Sequence, residues 1–239
     1  RTLPPEARRQ DLAARLQQPR RPAVHLASGR GDFALTTADL TADDARAEAA
    51  RCLECDLVCD VCVSVCPNRA NFSWTTPSRR LALVAILPAD EGFTTVPDGE
   101  LVVLQARQTA HVADFCNHCG NCTTFCPTAG RPFHDKPRFA LADASWAQED
   151  DIHRLERVGR DLRLRHRRHG REQTLTRRGS LLIWETADAV VELDAASFGV
   201  QKVQFLHRPP RGFGLRPAAT LAVLLEGLAA AGGEPWLVS

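Results

Sequence analysis

The sequence predicts an α+β protein in three stretches: a lead-in arm and linker over residues 1–35, a cysteine-rich α+β stretch over 36–140, and a β-rich scaffold closed by a helix over 141–239. Three observations predict this. One cysteine phrase is written twice, as Cys59-x2-Cys62-x3-Cys66-Pro67 and again as Cys119-x2-Cys122-x3-Cys126-Pro127. Short apolar or alternating runs bounded by Gly, Pro and Asp read as strands. Leu221, Leu224, Leu225 and Leu228 fall at i, i+3, i+4 and i+7, the spacing of one helix face.

Taken in order, Pro5 to Gln17 reads as a short charged helix with Leu12 and Leu16 on one side, and Pro19, Pro22, Gly29 and Gly31 then break the chain into linker. Thr41-x-x-Asp44 resembles a capping box and opens a helix from Ala42 to about Cys55. Ala45, Ala49, Cys52 and Leu53 share a face, so the last turn delivers Cys52 and Cys55 to whatever the cysteines hold.

The second copy of the phrase has one more cysteine upstream, giving Cys116-x2-Cys119-x2-Cys122-x3-Cys126-Pro127. In the bacterial ferredoxin run of this spacing, three thiolates hold one [4Fe–4S] cluster and the fourth, before proline, crosses to the other. Proline fixes φ and removes an N–H, so the chain leaves the fourth ligand in a defined direction. Two such runs predict a two-cluster, ferredoxin-like iron–sulfur module. The first copy is irregular, with five cysteines: Cys52, Cys55, Cys59, Cys62 and Cys66. The assignment gives cluster A to Cys55, Cys59, Cys62 and the crossing Cys126, and cluster B to Cys116, Cys119, Cys122 and the crossing Cys66; Cys52 is spare, or the alternative to Cys55. Nine cysteines is an odd number, which disfavours a disulfide framework. Two four-cysteine sets would also suit structural zinc, so a non-redox interaction module stapled by zinc is the competing reading. His118 reads as a residue behind the ligands or on the surface.

Between the runs, Leu81–Leu87, Leu101–Leu104 and His111–Ala113 read as strands with Pro97-Asp98-Gly99 as a turn, a small sheet shielding the clusters. After Cys126, the cations Arg131, Lys136 and Arg138 read as solvated loop or as a docking patch. Positive charge there also favours a reduced, more negative cluster. In the last stretch, 161–166, 180–185, 189–193 and 200–206 read as strands. Arg165, Arg167, Arg168, Arg171, Arg177 and Arg178 form a basic stripe, and a helix opens at Pro217 and stops at Gly232. No catalytic constellation is visible, so this stretch reads as scaffold.

The string Glu48-Ala49-Ala50-Arg51-Cys52-Leu53-Glu54-Cys55 resembles the opening of the iron–sulfur domain of the glutamate synthase small-chain family, which dihydropyrimidine dehydrogenase shares. Cys62-Val63-Ser64-Val65-Cys66-Pro67-Asn68-Arg69-Ala70-Asn71 is more particular. So is Phe115-Cys116-Asn117-His118-Cys119-Gly120-Asn121-Cys122, continuing to Phe125-Cys126-Pro127 and Gly130-x-Pro132-x-x-Asp135-Lys136-Pro137. These strings resemble the iron–sulfur portion of bacterial flavoproteins of the selenate reductase subunit family. The resemblance covers roughly residues 40–140 and implies a relay between an NAD(P)H–flavin unit and another redox centre. FAD and NAD(P)H are then expected on a partner domain or subunit, since no G-x-G-x-x-G follows a strand here. The fifth cysteine of the first run departs from the family's simpler pattern, and no residue recognises selenate.

A net charge of +1, with 25% charged residues, provides no nucleic-acid footprint. The cations are lopsided, 28 Arg against Lys136 and Lys202, which reads as genomic bias. No apolar stretch approaches a membrane span, and the thiol-rich chain suits the reducing cytoplasm. With no Met at all, the chain reads as part of a longer polypeptide or a trimmed one. The expected function is electron transport: a metal-binding module of an oxidoreductase that splits an electron pair into single electrons.

Overall fold

A computed structural model describes residues 5–18, 24, 37–52, 59–207, 212–230 and 237 of the 239. The chain divides into two compact units, Arg1–Leu57 and Val58–Ser239.

In the first unit, α1 spans Pro5–Gln17 and α2 spans Ala42–Ala50. The expected cap at Thr41 is present: its hydroxyl accepts the Asp44 N–H at 3.1 Å, satisfying one of the helix's orphan donors. Helix α2 is shorter than expected. The Arg51 N–H turns back to the Glu48 carbonyl at 3.1 Å, and the Cys52 N–H to that of Ala49 at 3.0 Å. These i→i−3 bonds tighten the last turn and end the helix before the cysteines. Cys52 is exposed, and its carbonyl accepts from Arg15 at 2.7 Å. Leu53 and Cys55, and the linker breakers Pro19, Pro22, Gly29 and Gly31, lie outside the described residues.

The second unit is α+β, with two sheets and a buried carboxy-terminal helix. Its elements are α3 (Val61–Ser64), β1 (Asn71–Thr75), β2 (Arg79–Pro88), β3 (Phe93–Val103), β4 (Arg107–Val112), α4 (Asn121–Thr124), α5 (Pro132–Asp135), β5 (Arg138–Phe139), α6 (Asp143–Gln148), β6 (Ile152–Val158), β7 (Asp161–Arg168), β8 (Arg171–Arg178), β9 (Leu181–Glu185), β10 (Ala189–Asp194), β11 (Val200–Phe205), β12 (Phe213–Gly214) and α7 (Arg216–Ala230). The large sheet has nine strands in the order β1-β4-β5-β6-β7-β8-β9-β10-β11, and the small one has the order β12-β2-β3. All pairings are antiparallel except β4–β5 and β5–β6. The boundary expected at 140/141 therefore falls between two adjacent, hydrogen-bonded strands of one sheet.

One register line explains the core. Leu155, Leu164, Leu175, Trp184, Val191 and Val203 stand opposite one another across six strands. Because side chains alternate faces with period two, this line makes one continuous apolar row. Helix α7 packs on β7 and β8 of the large sheet and on β2 and β3 of the small one. The expected leucine stripe, Leu221, Leu224, Leu225 and Leu228, is buried, but so are Ala218, Ala219, Ala222, Val223, Glu226 and Gly227. A helix held on several sides must be apolar nearly all round. Each fully buried leucine contributes roughly 1.5–3 kcal/mol. Glu226 is paired with Arg79 of β2. A Cβ on Gly227 would lie 1.9 Å from Cζ3 of Trp74 in β1, so glycine is what lets strand and helix meet. The expected helix stop, Gly232, lies outside the described residues.

One local expectation changes. Pro97-Asp98-Gly99 is not a turn but a bulge inside β3, where two residues, Asp98 and Gly99, oppose one, Leu83. Gly99 at φ +80 takes the left-handed conformation the bulge needs. Three of the six arginines of the basic stripe are ion-paired: Arg165 with Glu156 and Glu172, both at 2.9 Å, Arg168 with Asp151 at 3.8 Å and Arg178 with Asp161 at 3.1 Å. Arg167 points at the carbonyls of Trp146 and Glu149. Glu156, Asp161 and Glu172 on adjacent strands, and Asp151 just before β6, supply counter-ions that the linear stripe concealed.

Candidate metal centre

The sequence repeat is also a repeat of local structure. Each copy has a single helical turn, α3 or α4, with a buried cysteine at its second residue, Cys62 or Cys122. Each then closes with the same bonds: Val65 N–H to the Val61 carbonyl and Phe125 N–H to that of Asn121, both at 3.0 Å. Past the prolines, Arg69 and Ala129 both stand at φ +54. That left-handed step turns the next N–H back onto the sulfur. Ala70 N–H donates to Cys66 Sγ and Gly130 N–H to Cys126 Sγ, each at 3.2 Å. Donors of this kind stabilise a thiolate ligand.

Cys66 from the first copy and Cys116, Cys119 and Cys122 from the second line one cavity, together with Asn71, His111, His118 and Phe133 among others. That set is the four thiols expected for cluster B. Cys59 lies near enough to Cys62 to raise its thiol. Cys126 does not line the cavity, and Cys55 lies outside the described residues. Among the described residues, no three His, Cys, Asp or Glu side chains are grouped around a single ion-sized point.

Burial pushes the Cys62 thiol up; the Lys136 ammonium partly offsets this, and the Cys59 and Cys122 thiols add to it. Burial also raises Cys116, against the His118 N–H that donates to its sulfur at 3.4 Å. Cys126 is held below the usual thiol range, chiefly by the Thr128 hydroxyl. A cationic iron centre would draw protons from the raised thiols, and the all-sulfur donor set suits it. His118 is exposed, lines the same cavity and donates its backbone N–H to Cys116 Sγ.

Sequence reasoning missed Asn71 and His111. Asn71 Nδ2 donates to the Cys62 carbonyl at 2.9 Å, and its Oδ1 faces His111 Nδ1 at 2.8 Å. Burial, then Arg138 and His118, hold His111 down to about 4, so it is neutral near pH 7. Its Nδ1 must carry the proton, because Asn71 Oδ1 only accepts. A β1 residue thus ties the first-copy helix to a β4 residue lining the cavity. The strand pattern concealed this, since a period of two does not say which polar residue turns inward.

Of the expected docking cations, Arg131 and Lys136 are exposed. Arg138 is not available: its guanidinium is bound to Glu149 and to the Asp150 carbonyl.

Residues 57–129 match the family described as 4Fe-4S dicluster domain. With the paired cysteine loops, this match supports an iron–sulfur domain over these residues. The chain is 42% identical over 110 residues to the protein named "Putative oxidoreductase YgfK" of Escherichia coli K12, and equally to that of strain O157:H7. The match covers 45% of this chain and 8% of the relative, so the chain spans a small fraction of the curated relatives' length. No solved structure matches. No helix among the described residues is long and apolar enough to cross a membrane.

Proposed function

We propose that the chain relays single electrons through two [4Fe–4S] clusters, between an NAD(P)H–flavin unit and another redox centre of a larger cytoplasmic oxidoreductase. The observation that carries this reading is the convergence of Cys66, Cys116, Cys119 and Cys122, from both copies, on one cavity. Crossing of the pre-proline cysteine between copies is what the two-cluster spacing requires. Cluster B would be held by these four, and cluster A by Cys55, Cys59, Cys62 and Cys126, with Cys52 the alternative to Cys55. A bound [4Fe–4S] cluster supplies a one-electron carrier. The protein's part is to hold and insulate it. Ala70, Gly130 and His118 direct N–H groups at ligand sulfurs, and the Asn71–His111 pair braces the loop that carries Cys62. The resemblance to the iron–sulfur portion of flavoproteins of the selenate reductase subunit family supports FAD and NAD(P)H being carried by a partner domain or subunit. Exposed Arg131 and Lys136 suit an acidic face on that partner.

Anaerobically purified protein should contain about eight iron and eight sulfide per chain and bleach with dithionite. Colourless protein with stoichiometric zinc would overturn the reading. The isolated chain should not oxidise NADPH, yet its reduction by an added flavoprotein subunit should slow as salt rises. Rapid reduction by NADPH alone would equally defeat it.

A further inference from the structure

We infer that Phe133, together with the ring of His118, is the wall that keeps water from the site of Cys66, Cys116, Cys119 and Cys122. The inference rests on the reading that these four thiols hold a [4Fe–4S] cluster, and it concerns that site alone. The four thiols and the other described residues lining the cavity all belong to the second unit. The cavity has two sides. Asn71 and His111, 3% and 2% exposed, stand on the buried side. His118 is exposed and Phe133 half-buried, so they stand towards solvent. Their rings meet there, with centroids 5.7 Å apart and planes tilted by 46°. The small sheet expected to shield the clusters provides none of the described residues that line this cavity.

Local structure holds both rings in place. Phe133 is the second residue of α5, and the first, Pro132, is buried. The Arg131 N–H donates to Asp135 Oδ2 at 2.6 Å and closes the turn. Helix α5 packs on α4, which carries Cys122, and on β4, which carries His111. His118 stands at φ +55 and donates its N–H to Cys116 Sγ at 3.4 Å, so the loop that presents two of the thiols also sets its ring. Reduction adds one electron, with no bond formed or broken, to a centre that four thiolates already make negative. Water stabilises that added charge better than hydrocarbon does. A dry wall therefore lowers the potential, and an opening in it raises the potential.

The test is a dithionite titration of the iron-loaded chain followed by electron paramagnetic resonance, with deuterium hyperfine couplings read from protein reduced in heavy water. The wave that Cys66→Ser shifts or abolishes belongs to this site. Phe133→Ala should raise that wave alone, by about fivefold in the reduced-to-oxidised ratio, or about 40 mV at 59 mV per decade. It should also strengthen the couplings of exchangeable deuterium. Phe133→Leu, which restores a bulky apolar side chain, should titrate like the unaltered chain. His118→Gly removes the other ring at a backbone conformation that glycine adopts freely, and should raise the same wave. That variant is decisive where Phe133→Ala does not hold its iron. Unchanged couplings, an unmoved or lowered wave, a shift of both waves, a Phe133→Leu protein that behaves like Phe133→Ala, or loss of iron from His118→Gly would each overturn the inference and leave the relay standing. Iron for fewer than two clusters in the unaltered chain would overturn both.

Discussion

Replacing Gly227 by alanine sets two effects of opposite sign against each other. Alanine is a better helix former than glycine, worth about 1 kcal/mol at an interior position. The new Cβ, however, would lie 1.9 Å from Trp74 Cζ3, 2.4 Å from Cε3 and 2.9 Å from Cη2. Ordinary carbon contacts are about 3.5–4.0 Å, and the indole is 5% exposed, so it has nowhere to swing. Overpacking typically costs about 1–3 kcal/mol, and so close an approach belongs at the upper end. The net loss is therefore about 2 kcal/mol, or a fall in melting temperature of about 4–8 °C for a chain of this size. Thermal unfolding of Gly227→Ala, Trp74→Phe and the double variant closes a cycle. The smaller ring should relieve the clash, making the double variant more stable than the two single losses add up to. Trp74 Nε1 is buried without a hydrogen bond, so the phenylalanine also removes an unsatisfied donor. A Gly227→Ala protein as stable as the parent, or more so, would refute the close packing of α7 on β1.

Other perturbations are as direct. Arg79→Met leaves Glu226 buried without its partner and should cost about 3 kcal/mol in denaturant unfolding; adding Glu226→Leu should recover most of it, and an Arg79→Met protein of parental stability would mean the pair is unimportant. His153 is held down to about 3, first by burial and then by His166, against whose ring it stacks at 4.4 Å. Its folded pKa lies below the unfolded one, so its contribution is complete above about pH 6.5 and is lost as pH falls towards 3, at up to about 1.4 kcal/mol per pH unit. His153→Phe should flatten the stability profile between pH 6.5 and 4, and an unchanged slope would show that His153 does not resist protonation. If Cys55 is the ligand, Cys52→Ser should keep both clusters and Cys55→Ser should lose or convert one, as iron analysis would show; the reverse result would exchange their roles.

Much of the site was legible in the linear chain because ligand spacing is local chemistry. Cysteines two and three residues apart, followed by proline, must form a compact loop wherever they sit, and both copies do. The strands over 161–166, 180–185, 189–193 and 200–206 were legible for a similar reason, since alternation and turn residues act within a few positions. Only the tertiary structure could decide what depends on partners far along the chain. It placed Cys66 beside three cysteines some fifty residues downstream, joined 138–139 to 152–158 in one sheet across the expected boundary, and gave three of the six stripe arginines acidic partners from other segments. It also turned Asn71 and His111 inward and buried α7 on several sides, where the leucine spacing predicted one. Such choices follow from which strands pair and what the helix rests on. Periodicity specifies the faces of an element, and packing decides what each face meets.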